Sequence, residues 1–171
     1  MQSVVLVAMD KLTNYTHFMA LFHPYTATKV ANVYLKSVFK LHGMPSTIMS
    51  DRDPIFTSHF LRELMRLQGV VLTMSSSYHP QTDGQTKVVN KSLEHYLRAF
   101  AADKPTTWVE WLPLAEFWFN TNFHVAAKMT PFEALSGYLP PRVLDYAVGT
   151  TRVGAVDSLL KGRQQLLSLV K

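Results

Sequence analysis

Apolar and polar positions along this chain separate strands from helices. Val4-Val-Leu-Val-Ala-Met9 is an unbroken apolar run rich in β-branched residues, closed by Asp10-Lys-Leu-Thr-Asn14, and it reads as a buried strand followed by a turn. Residues 15–22 alternate more and are expected to pair back as a hairpin, stopped by His23-Pro24. Val30, Val33, Tyr34, Val38 and Leu41 recur at helical spacing, with Lys29, Lys36 and Lys40 on other faces. Thr26 or Thr28 is the expected N-cap of that helix and Gly43 its C-cap. Pro45 opens a short strand over residues 46–50. A second helix over 58–68 carries Phe60, Leu61, Leu64, Met65 and Leu67 and stops at Gly69, and a strand over 70–74 follows. Residues 75–84 are polar and read as a loop. A third helix over 85–100 has the stripe Val89, Leu93, Tyr96, Leu97 and Phe100, and an aromatic one over 106–120 carries Trp108, Trp111, Phe117 and Trp118. Thr130-Pro131 has the form of a helix start, and residues 156–170 form a last amphipathic helix. The order β-β-α-β-α-β-α-α plus a tail predicts an α/β fold, a mixed sheet covered by helices. A first strand apolar on both faces predicts cover on both sides.

Composition narrows the function classes. Among 171 residues there is no Cys, which excludes a disulfide framework, a Cys-based zinc site and a thiol nucleophile. The apolar share of 47% and aromatic share of 12% are those of a folded domain. No apolar run approaches the roughly 18–20 residues that span a bilayer, and nothing basic precedes residues 4–9 as in a signal peptide. No membrane partner is expected. Lys and Arg number 17 against 12 Asp and Glu, a net charge of +5 that hints at a polyanionic partner.

Three places could carry chemistry. Asp51 stands directly after the third strand, where α/β folds gather ligands, and Asp51-Arg-Asp-Pro54 is equally a turn that caps the next helix. Asp10 has the same two readings after the first strand. Lys87, Lys91, Glu94 and Arg98 recur at four, three and four, which puts them on one helical face bordered by Asn90. Such a face suits a phosphate backbone, and it equally suits plain solvent. The seven histidines make no metal-binding motif.

Read together, Asp51-Arg-Asp-Pro-Ile-Phe56, Tyr78-His-Pro-Gln-Thr-Asp-Gly-Gln-Thr86 and Val89-Asn90 resemble the integrase catalytic core of gypsy-type LTR retrotransposons. Val7-Ala-Met-Asp-Lys-Leu12, His17-Phe18, Asn120-Thr-Asn-Phe-His124 and Thr130-Pro-Phe-Glu133 match further family segments in the same order. The resemblance implies a core over 1–142, a helical linker over 143–171, and a ribonuclease-H-like mixed sheet with flanking helices. It also implies a polynucleotidyl transferase in which two Asp and one Glu hold two Mg²⁺ or Mn²⁺ ions, with no small-molecule cofactor. Such ions activate the attacking oxygen and stabilise the leaving one, and hard cations take carboxylate oxygen. The implied partners are DNA and further copies of the chain, and the implied location is the nucleus.

Carried over residue by residue, the resemblance makes Asp51 the second carboxylate. The Glu is due thirty-six positions later, where this chain has Lys87. The first Asp belongs to a central strand upstream of the family hairpin, and residues 4–9 match the second strand, so that strand and its Asp are missing here. Asp10 matches a turn residue and not a ligand. Glu94 lies two turns from Lys87, about 10 Å along a helix axis, too far to replace it. The ammonium of Lys87 would repel gathered cations and is placed to pair with Asp51 instead. The expectation is one residual metal ligand, Asp51, no strand transfer, and a sheet with an unfilled slot that destabilises the isolated chain. Tyr78, Pro80, Gln81, Asp83, Gln85, Lys87, Asn90 and Lys91 match positions that face DNA and need no carboxylates. The alternatives are a domesticated DNA- or protein-binding module and a remnant without function.

Overall fold

The computed structural model describes residues 3–74, 80–101, 108–141 and 146–169. Strands β1 (Ser3–Met9) and β2 (Thr16–Phe22) form the expected antiparallel hairpin, with Val7 opposite Phe18 and Met9 opposite Thr16. Its turn is held by Asp10, whose carboxylate accepts from the Thr13 N–H and hydroxyl at 2.9 and 2.6 Å. The Asp10 N–H donates to the Tyr15 carbonyl at 2.9 Å, so residue 10 points its N–H inward across the hairpin, and its carbonyl accepts from the Asn14 N–H at 2.9 Å. By alternation, the backbone polar groups of Thr16 and Phe18 point away from β1 toward the outer edge of the sheet.

Helix α1 (Ala27–Tyr34) is capped by Thr26, whose hydroxyl accepts from the Lys29 N–H at 3.3 Å. It runs through a π-helical turn, Leu35–Phe39, into a last turn, Lys40–His42, which ends at Gly43 with φ +77°. A left-handed φ of that kind is readily adopted only by glycine. Strands β3 (Thr47–Ser50) and β4 (Val71–Met74) pair in parallel, with α2 (His59–Leu67) between them in sequence. Ser58 caps α2 by accepting from Leu61 N–H at 3.3 Å. Helices α3 (Pro80–Ala101), α4 (Trp108–Thr121), α5 (Pro131–Ser136, with Pro131 at its first position) and α6 (Gly154–Leu169) follow. Before α6, Tyr146 donates its hydroxyl to Asp157 at 2.6 Å, so α6 is tied to its own leading segment. Lys161 and, after it, that bond hold the Asp157 carboxyl down at about 2.

Two expectations need adjustment. The sheet is mixed, but it stands in two pieces, an antiparallel pair β1–β2 and a parallel pair β3–β4. Among the described residues no strand pairs between them. The stretch read as loop over 75–84 is helix from Pro80 onward. Proline lacks only an N–H that the first turn leaves unpaired anyway, and Gly84 costs a helix only about 1 kcal/mol, so neither residue stops it. Residues 75–79, with Tyr78, lie outside the described residues, as do Thr106 and Val170 of the expected helices.

The core is correspondingly double. Phe18, Val89, Leu93, Tyr96, Leu112, Ala115 and Phe119 are buried together where the hairpin meets α3 and α4. Ala31, Leu61, Met65 and Val70 form a separate cluster among α1, α2 and the start of β4.

Candidate functional site

Asp51 follows β3 directly and is exposed. Its Oδ1 accepts from the Asp53 N–H at 3.2 Å, and Asp53 Oδ1 accepts from the Ile55 N–H at 2.8 Å. Two successive Asx turns thus lead from the strand toward the Ser58 cap, so the turn-making reading of Asp51 is realised in the backbone.

Helix α3 divides as its pattern predicts. Val89, Leu93 and Tyr96 are buried, and burial raises the Tyr96 phenol to about 12. Gln85, Lys87, Asn90, Lys91, Glu94 and Arg98 are exposed. Arg98 donates to Glu94 at 2.6 Å across one turn, at the solvent surface. Pro80, Gln81 and Asp83 lie in the first turns of the same helix. The structure therefore gathers the expected nucleic-acid-facing residues, Tyr78 aside, on one helix.

It does not gather a metal centre. Among the described residues no ion pair joins Asp51 to Lys87, and no group of three His, Asp or Glu side chains is arranged to hold a metal ion. Where the resemblance expects the third carboxylate, this chain has Lys87. Two divalent ions need several convergent carboxylates, so the residues present do not fit that group.

One network lay outside the sequence reading. Glu116 and Asn120, one turn apart on α4, both face the outer edge of β2. Asn120 is buried; its side-chain oxygen accepts from the Thr16 N–H at 2.9 Å and its amide donates to the Thr16 carbonyl at 2.8 Å. Glu116 Oε2 accepts from the Phe18 N–H at 2.9 Å. The match is geometric: four helical residues rise about 6 Å, close to the roughly 6.6 Å between alternate strand residues. Glu116 Oε1 also meets His17 Nδ1 at 2.9 Å, and His17 Nε2 meets His42 Nε2 at 2.9 Å. Tyr15 packs edge-on against both imidazoles. These residues are 25 and 99 positions from His17, and no local spacing links them.

The described fold has solved counterparts. It is similar to the catalytic core domain of BIV integrase, with a TM-score of 0.64 and 24% identity over 77% of this chain and 84% of that one. A simian T-cell lymphotropic virus intasome, solved in complex with PP2A regulatory subunit B56 gamma, gives a TM-score of 0.64 at 20% identity, covering 85% of this chain and 53% of that one. The HTLV-2 integrase catalytic core in complex with magnesium, in a trimeric form, gives 0.60 at 15% identity, covering 77% and 92%. The class is thus the ribonuclease-H-like fold of integrase catalytic cores. In sequence the chain is 32% identical over 138 residues to the Transposon Tf2-3 and Tf2-4 polyproteins of Schizosaccharomyces pombe, which covers 81% of this chain. It spans about 10% of the length of those curated relatives. No protein-family model matches. The chain is thus related in sequence to a segment of the Tf2 transposon polyproteins and carries the fold of integrase catalytic cores.

Proposed function

We propose that the chain is a gypsy-type integrase core that retains a DNA-contacting surface and lacks strand-transfer chemistry. The observation that carries this reading is the exposed face of α3, where Lys87 and Lys91 stand one turn apart beside Asn90. At position 87 the resemblance expects a carboxylate, so one substitution removes a metal ligand and adds a phosphate-binding cation. Of the +5 net charge, two units trace to that position: with Glu there the count is 16 against 13, or +3. Contacts of this kind position a protein on the phosphate backbone and carry little sequence preference. Residues 1–142 then form the core and 143–171 a linker. DNA and further copies of the chain are its partners, and the nucleus is its place of action.

Fluorescence anisotropy against duplex DNA over a salt series tests the binding. Affinity should fall steeply with salt, and Lys87→Ala with Lys91→Ala should flatten the log–log slope by about 2. Salt-independent binding, or binding indifferent to that double change, refutes the DNA reading. Strand transfer measured with the chain as it stands tests the chemistry: turnover with Lys87 in place refutes the claim of inactivity.

A further inference from the structure

Three features stand outside the function proposed above: the outer edge of β1, the exposed apolar side chains Phe123, Val125 and Leu139, and the chain of polar groups Glu116–His17–His42. Nothing in the structure says what would cover the edge or those side chains. The third feature is specified by distances.

His17 is buried, with 5% of its surface exposed, and both its ring nitrogens are engaged at 2.9 Å. The Glu116 carboxylate can only accept, so His17 Nδ1 carries the proton in that contact. In the neutral ring, Nε2 is then an acceptor, and His42 Nε2–H must donate to it. That leaves His42 Nδ1 as the vacant basic nitrogen at the exposed end of the chain of bonds. A first added proton goes to His42 Nδ1, and every hydrogen bond survives. A second must go to His17 Nε2, and two N–H groups would then point at each other across 2.9 Å. The capacity of the pair is therefore one extra proton.

The position of the pair gives that limit a consequence. His17 is on β2 and Glu116 on α4, the elements that contribute Phe18 and Ala115 to one cluster, whereas His42 ends the helix whose Ala31 is buried in the cluster around Leu61. We propose that the Glu116–His17–His42 chain is a proton-sensitive latch between the two halves of the core, closed when the imidazoles hold at most one extra proton and open when both are charged. The groups facing it are Asp10 from the hairpin turn, Tyr15 from the entry to β2 and Glu116 from α4. Burial and the neighbouring His17 hold His42 below its ordinary value, against the opposing pull of Asp10 and Glu116. Burial and Glu116 push the Tyr15 phenol up, so it stays neutral throughout.

The sign follows from linkage. An imidazole with a lowered folded value binds fewer protons folded than unfolded, so stability is full above about pH 6.5 and is lost as pH falls through the folded value. Each proton of difference changes the folding constant by up to about tenfold per pH unit. The test has two arms on the full chain. Long-range ¹⁵N imidazole NMR at pH 8 should show His17 protonated on Nδ1 and His42 on Nε2. Denaturant midpoints from pH 8 to 5 should fall more steeply for the native chain than for H42Q, whose amide can still donate to His17 Nε2 and cannot titrate. His17 found protonated on Nε2 at pH 8 would overturn the latch without any variant. Equal pH slopes in the native chain and H42Q would overturn it as well.

Discussion

Among the described residues, seven side chains are buried around Phe18 where the hairpin meets α3 and α4, whereas four are buried around Leu61 among α1, α2 and β4. The larger cluster is aromatic and cross-linked. Phe18 meets Phe119 edge-on at 6.0 Å, Tyr96 meets Trp118 at 5.3 Å, and Asn120 clamps Thr16 across 104 positions of sequence. In the smaller one, β3 and β4 leave Met49 and Val71 exposed, and beside the turns and caps the side-chain hydrogen bonds between the two strands are Thr73 to the Ile48 carbonyl at 3.3 Å and Ser50 to the Met74 sulfur at 3.5 Å. A sheet in two pieces leaves each pair of strands to find its own cover. The hairpin finds it in two long helices, and the parallel pair finds less. The second half should therefore open first.

The largest expected effect tests the stronger half. Leu93→Ala leaves a cavity among aromatic neighbours that cannot all collapse, and should lower global stability by about 2–5 kcal/mol in urea unfolding. A loss confined to local opening would reverse the ranking of the halves. Asn120→Ala strands a buried N–H and a buried carbonyl of Thr16, each worth about 1–3 kcal/mol when unpaired, so a loss of about 2–4 kcal/mol is expected. A change below about 1 kcal/mol would mean the clamp is dispensable. Ser58→Ala removes a helix cap in the weaker half at about 1 kcal/mol. Hydrogen exchange should place that loss in α2 and β4 while α3 amides keep their protection. Uniform loss of protection would mean the two clusters unfold as one.

The hairpin, the crossover helices and the buried stripe of α3 were legible because each is a local periodicity: Val89, Leu93 and Tyr96 announce their face by spacing alone. The start of α3 was not, because Pro80 and Gly84 signal a break in isolation and are tolerated in the first turns of a long helix. Asp51 stood out by its place after a strand and by resemblance, and the exposure of Lys87, Asn90 and Lys91 follows from the helical period. Glu116, His17 and His42 were invisible for a different reason. Each looks like an ordinary polar residue in its own element, and only the docking of α4 on β2 makes them neighbours.

The docking of Glu116 and Asn120 on β2 has one more consequence. An asparagine side chain carries the donor and acceptor of a peptide group, and with Glu116 it occupies the outward backbone groups of Thr16 and the outward N–H of Phe18. Any foreign strand arriving at β2 must displace two side chains already seated there. On β1, no hydrogen bond among the described residues reaches the outward groups of Val5 and Val7. Unguarded edges of that kind invite pairing. The hairpin thus has one flank sealed by its own side chains and one whose backbone groups stay open among the described residues.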